Sequence, residues 1–179
     1  RQAAAGKFPG CFLKREGRPT TKETLTARLI DRPILPMCAQ GFNDEVQIHN
    51  IVLASDRQTD ADVLAMNAAS AALMISPLPF QGPLGAVRLG LVDGNFIVFP
   101  TQEDLETSEL DLIVSGTSDA VLMIEVFSRE LPEDKMLEAI NEAHRYVREL
   151  CEMQNEFAAK ANVKKMDLVP PPSDGLYDR

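Results

Sequence analysis

Two runs on either side of a short polar turn, "LDLIVSG" over 110–116 and "AVLMIEVFS" over 120–128, are almost entirely apolar. Runs this short, rich in Leu, Ile and Val and bounded by Gly116 and Asp119, read as paired strands rather than as helices. Because they lack polar alternation, both of their faces need cover, which predicts central strands of a sheet with other layers packed on it.

The rest of the chain offers those layers. "GAVRLGLV" and "NFIVFP" flank Asp93-Gly94, a pair whose backbone tolerates the positive φ angles of a tight hairpin. "EVQIHNIVLA" is rich in β-branched residues and opens in alternation, which predicts a further strand over 45–54. Thr20 and Glu23 have the spacing of a capping box, and Leu25, Leu29 and Ile30 form an apolar stripe until Pro33 stops the helix, leaving Arg28 and Arg32 at its C-terminal end. Asp60 is placed to cap a buried helix running to about Ile75, whose Ala65, Ala68, Ala69 and Ala72 would let it lie close to a sheet. From Pro132, read as the first helical residue, Met136, Ile140, Ala143, Val147, Leu150 and Phe157 recur at helical steps, with Glu133 and Asp134 at the positive end of the helix dipole. At 1.5 Å per residue this final helix is on the order of 40 Å long. The expected architecture is of the α/β class, α+β type: one mixed β-sheet packed with α-helices and a long C-terminal helix. It occupies one domain over 1–161, followed by a polar linker over 162–179.

Composition narrows the function classes. A 179-residue chain that is 45% hydrophobic and 25% charged can bury a sufficient core without staples. Its apolar runs are all interrupted within about ten residues, far short of the roughly 20 that a membrane-spanning helix needs. Cys11, Cys38 and Cys151 share no CxxC spacing, so neither a zinc site nor a disulfide framework is indicated, and a reducing compartment is expected. The first residue is Arg1 rather than Met, and the opening reads as part of a longer chain. Residues 1–36 carry a net charge of +5 within a total of −9, leaving −14 for the remainder. That asymmetry argues against nucleic-acid binding over the whole surface and leaves room for a local polyanion contact at the N-terminal end.

The basic end contains "GCFLKREGRP", Gly10 to Pro19. Phe12 offers a stacking face to a base, and Lys14, Arg15 and Arg18 offer charge to successive phosphates, the combination single-stranded nucleic acid requires. The residues alone leave a structural alternative open, in which Phe12 and Leu13 anchor the loop while Arg15 and Arg18 pair with Glu16 and Asp31. His49 and His144 have no Ser or Cys partner at a telling spacing and read as structural or surface residues. Asp56, Asp60 and Asp62 resemble a divalent-metal cluster, but acids collect at helix starts for capping and dipole reasons, and that explanation is preferred. "GPLGAVRLG" lacks both the Walker and the Rossmann spacing and reads as strand and turn geometry.

Longer motifs carry a resemblance. "AAAGKFPGCFLKREGRPTTKETLTARLIDRPILP", "GFNDEVQI", "DVLAMNAASAALMIS", "LPFQGPLGAVRLGLVDGNFIVFPT" and "LDLIVSGTSDAVLMIE" together resemble the bacterial polynucleotide phosphorylase family, in the first of its two RNase PH-like core domains. The similarity spans residues 1–165, and the tail resembles the start of the helical segment that follows this domain in the family. It implies a phosphate-dependent 3′-to-5′ exoribonuclease that releases nucleoside diphosphates and runs in reverse as a polymerase. Inorganic phosphate is the co-substrate, and Mg²⁺ the cofactor, bound outside this segment. The implied assembly is a cytoplasmic homotrimeric ring threaded by single-stranded RNA, with other RNA-decay proteins as candidate partners and no membrane. In the family a preceding segment supplies strands to this same sheet.

The family's channel loop usually reads Phe-Phe-Arg-Arg, so the implied RNA-binding set is Phe12, Leu13, Lys14 and Arg15, with Arg18 nearby. Leu13 and Lys14 depart from the pattern and remove one stacking face and one planar fork. Where the family's catalytic half carries an Asp and then, six residues on, an Asp-x-Lys, this chain has Leu105, Asp111 and Ile113. Leu and Ile can neither ligate Mg²⁺ nor donate a proton, so no catalytic residue is expected in this segment and the domain should be chemically silent. The alternatives are a stand-alone RNase PH or exosome-type subunit and a purely structural assembly module.

Overall fold

The computed structural model describes residues 18–39, 41–42 and 44–168. Helix α1, Thr21–Ile34, starts at the expected capping box: Thr20 accepts from the Glu23 amide while the Glu23 carboxylate accepts from the Thr20 amide at 2.7 Å. A 3-10 turn, Leu35–Met37, follows, and then α2, Asp62–Met74. Strands β1, Gly85–Val92, and β2, Asn95–Val98, form the expected hairpin, with Asp93 at φ 50° and Gly94 at φ 76°. Beyond the short α3, Gln102–Thr107, come β3, Leu110–Gly116, β4, Val121–Ser128, and α4, Glu133–Ala161. The sheet order is β2-β1-β3-β4, and every pairing among the described residues is antiparallel where a mixed sheet is expected.

Period-two alternation sorts the two central strands into two cores. Val87, Leu89 and Leu91 of β1 and Leu110, Leu112 and Val114 of β3 face α4, where Ala139, Ala143, Val147 and Cys151 close over them. Close approach depends on Gly85, because a Cβ there would stand 2.6 Å from the Val147 carbonyl oxygen. On the opposite face Ala86, Ile113 and Met123 pack with Ile30 and Ile34 of α1 and with Val63, Met66, Ala69 and Leu73 of α2. A buried polar bolt ties the layers together. Gln154 of α4 donates to the Leu84 carbonyl at 2.8 Å and accepts from Ser70 of α2 at 2.7 Å, and Ser70 in turn accepts from the Leu84 amide.

Several expectations need correction. β4 is not covered on both faces: it is the last strand of the sheet, Leu122, Ile124, Val126 and Phe127 are exposed, and only Met123 is buried. α4 packs on β1 and β3, and of β4 only Val121 joins the core beneath it. The stretch 45–54 forms no strand, leaving Ile51 71% and Leu53 92% exposed, because strand propensity cannot supply a neighbouring strand's hydrogen-bonding groups.

The helix termini differ too. α1 runs through Pro33 to Ile34, since the lost N–H falls in the last turn and the Leu35 amide still bonds the Asp31 carbonyl. Its buried face is Ile30, Pro33 and Ile34, with Leu25 exposed. Ala61, not Asp60, precedes α2, and α2 buries one face only, since Leu64, Ala68 and Ala72 are exposed. Pro132 is the cap of α4 rather than its first residue, and Phe157 lies half outside the core, whose helical contacts are Ala139, Ala143, Val147, Cys151 and Gln154.

Candidate functional site

On the α1/α2 face of the sheet charged side chains from β1, β3 and β4 stand beside the apolar core, and the central one is a cation. Arg88, in the middle of β1, forms a bidentate pair with Asp111 of β3, Nε to Oδ1 at 2.8 Å and Nη2 to Oδ2 at 2.7 Å. The Arg88 Nη1 reaches Asp60 at 3.2 Å and Asp62 at 3.3 Å. Asp60 also accepts from Lys22 in the first turn of α1 and from Gln102 at the start of α3. One guanidinium therefore gathers two strands and the entrances of three helices.

A planar fork with several donors suits this convergence, where a Lys would hold a single point. The Asp111 hydrogen bond and the charges of the three carboxylates raise the Arg88 pKa against the opposing effect of burial. Burial alone would raise the Asp60 pKa, but the bond and charge of Lys22, the charge of Arg88 and the Gln102 bond together lower it. Asp62 additionally accepts from the Val63 amide at 2.7 Å, and Asp56 forms a separate turn by accepting from the Gln58 and Thr59 amides. Turn contacts for Asp56, a helix-start amide and Arg88 for Asp62, and ion pairs with Arg88 and Lys22 for Asp60 occupy the three aspartates.

The cluster lies at the floor of an open groove between α1 and the sheet, lined among others by Lys22, Leu25, Arg28, Ile113 and Phe127. Arg28 and Phe127 are exposed on its walls. The three positions singled out by motif fall close by in the chain's order but not in chemistry: Leu105 is half-buried on α3, Ile113 is buried on β3, and Asp111 is engaged by Arg88. These residues do not fit a Mg²⁺ centre, because the one carboxylate left at the motif positions is already neutralised and its two companions have no ligating atom. Among the described residues no group of His, Cys, Asp or Glu is arranged to hold a metal ion.

The expected RNA-contacting residues Phe12, Leu13, Lys14 and Arg15 lie outside the described residues, while Arg18 is exposed just ahead of α1. His49 contacts Gln47 at 3.3 Å on the surface, and His144 contacts the Thr117 carbonyl at 3.1 Å, beside Arg148, which reaches the Ser118 carbonyl. Cys38 and Cys151 are free thiols whose pKa values burial pushes up. Sequence reasoning missed Arg88 as an organising residue. The available signal was a lone cation inside an otherwise apolar strand, which a folded chain has to pair.

Residues 1–79 match the description "3′ exoribonuclease family, domain 1", and residues 82–146 match "3′ exoribonuclease family, domain 2". The chain belongs to the 3′ exoribonuclease family. Over all 179 residues it is 58% identical to a polyribonucleotide nucleotidyltransferase of Rhodopirellula baltica, covering 24% of that protein. It is 50% identical over 171 residues to the enzyme of the same name from Roseiflexus sp., covering 96% of this chain and 23% of that one. A third, from Halalkalibacterium halodurans, is 46% identical over 176 residues, 98% of this chain and 25% of that protein. The chain thus spans about a quarter of the length of these relatives. In fold it is similar to the crystal structure of rice (Oryza sativa) Rrp46, with a TM-score of 0.65 at 12% identity over 80% of this chain and 68% of that one. As a member of the 3′ exoribonuclease family, the chain has the α/β architecture that its motifs imply.

Proposed function

We propose that this chain is the first core region of a phosphate-dependent 3′-to-5′ exoribonuclease, a polyribonucleotide nucleotidyltransferase, and that it serves RNA threading and ring assembly without performing the chemistry. The reading of a silent region rests on one observation above all. The motif carboxylate Asp111 is locked by Arg88 between Leu105 and Ile113, leaving no free acid, base or ligand at that place. Phosphorolysis, with phosphate as nucleophile and Mg²⁺ as cofactor, then belongs to the remainder of the longer protein, as it does in the relatives' family pattern.

RNA contact is assigned to the segment Phe12, Leu13, Lys14 and Arg15 with Arg18, whose aromatic and cationic side chains suit a single strand passing through a homotrimeric channel in the cytoplasm. The test uses the complete protein, with Phe12, Lys14, Arg15 and Arg18 replaced by Ala. RNA affinity should fall, and the slope of log affinity against log salt should flatten by roughly 0.7 for each phosphate that is no longer neutralised. An unchanged affinity and slope would remove the RNA role.

An additional assembly role is favoured by the open side of the sheet. β4, which pairs only with β3 among the described residues and exposes Leu122, Ile124 and Val126, and the stretch 45–54 with its exposed Ile51 and Leu53 together offer surfaces that further strands would cover.

A further inference from the structure

The chain does not simply leave the domain when α4 ends. Asn162 adopts a left-handed conformation, φ 47° and ψ 45°, which closes the helix and turns the backbone. The segment that follows folds against the C-terminal end of α2. There the Lys165 ammonium donates to the Leu73 carbonyl at 2.8 Å and to the Ser76 carbonyl at 2.9 Å, and the Met166 amide donates to the Pro77 carbonyl at 2.8 Å.

The site explains the contact. The last carbonyls of a helix have no partners within it and sit at the negative end of its dipole, so a cation bearing several donors satisfies both needs. α2 ends without a basic residue in its last turn, and its Leu73 carbonyl already accepts from the Ile75 amide and from the Ser76 amide and hydroxyl, so a cation there supplies charge at the negative end of the dipole and a donor for the Ser76 carbonyl. The missing cation comes instead from Lys165, roughly ninety residues downstream. Lys160 and Lys164 are exposed, whereas Lys165 is half-buried, and burial lowers its pKa.

We propose that Lys165 is a clasp that fixes where the chain leaves this domain, docking the segment after α4 onto the end of α2 and setting the direction in which whatever follows departs. The clasp is the second of two fasteners between these helices. Gln154 bolts α4 to Ser70 within the core, and Lys165 holds the exposed end beyond it. Losing Lys165 should therefore free the exit segment while leaving the helix above it in place. Acylating the same amine, which removes its charge and donors, should have the same effect. The inference does not depend on the RNA reading, and its test measures neither RNA binding nor activity.

The test is hydrogen exchange on the 179-residue chain, comparing wild type with Lys165→Ala and with Lys164→Ala as the exposed control. In Lys165→Ala the Met166 amide should exchange at least about tenfold faster, and the Ile75 and Ser76 amides should follow, with α4 unchanged up to Gln154. Lys164→Ala should leave all of these as in wild type. Equal protection of Met166 in wild type and Lys165→Ala would overturn the clasp. A measurement on unmodified protein guards against a variant that does not fold: brief treatment with an acetylating reagent, read by mass spectrometry. Lys165 should react markedly more slowly than Lys164, and equal reactivity of the two amines would overturn the proposal equally.

Discussion

β3 and β4 are neighbours in the sheet, and although β4 is the more apolar of the two, β3 is buried along nearly its whole length and β4 is largely in solvent. The difference lies in what reaches them. α4 covers β1 and β3, and β3 has a strand on either side, whereas among the described residues β4 pairs with β3 alone. An apolar strand in a sequence therefore states a demand for cover and does not say where the cover comes from. An unmet demand of this kind marks the surface on which a further layer or strand would bury the most apolar area.

The largest effect should come from cutting into the covered strand. Leu112→Ala, in a fully buried position under α4, should cost about 2–5 kcal/mol in denaturant unfolding, whereas Ile124→Ala in β4 should cost well under about 1 kcal/mol in the same chain. Similar losses at the two positions would break the comparison. Next in size is Arg88→Ala, which takes from Asp111 its bidentate partner and from Asp60 and Asp62 one of their contacts, and should cost about 3 kcal/mol, moderated by the partial exposure of Asp111.

The same cluster sets a pH signature. The Asp60 pKa is lowered in the folded chain, so its contribution is present above the ordinary carboxylate range and is lost as pH falls through the depressed value. Wild type should accordingly lose stability between about pH 5 and pH 3 more steeply than Arg88→Ala does. Gln154→Leu sharpens the comparison at the α4 seam: the Leu84 carbonyl loses its donor, and stability should drop by about 1–3 kcal/mol with β4 unaffected in hydrogen exchange. The smallest of the expected effects is Thr20→Ala, which removes one half of the α1 capping box and should cost about 1 kcal/mol, read as a small shift in the unfolding midpoint.

Most of the local structure was legible because it is written in short-range chemistry. Thr20 with Glu23 marked the start of α1, Asp93-Gly94 the hairpin, and the spacing from Met136 to Val147 the body of α4. The errors came from partners far apart in sequence. Nothing near 45–54 says that it will find no pairing strand among the described residues, and nothing near Asp60 says that Lys22 and Arg88 will claim its carboxylate before α2 can use it as a cap. Likewise, Pro33 removes only the bond from its own N–H to the preceding turn, and the helix runs one residue past it with the Leu35 amide still bonded to the Asp31 carbonyl. That Leu105 and Ile113 carry no ligating or proton-donating group was readable from the sequence alone. That Asp111 is held by a guanidinium was not, because Arg88 lies on a different strand.

The central claim, that this region carries no chemistry of its own, is tested most directly by incubating the purified, folded 179-residue chain with poly(A), inorganic phosphate and Mg²⁺ and measuring nucleoside diphosphate release. The account predicts no release above a protein-free control. Sustained, phosphate-dependent release that disappears in Asp111→Asn would contradict it.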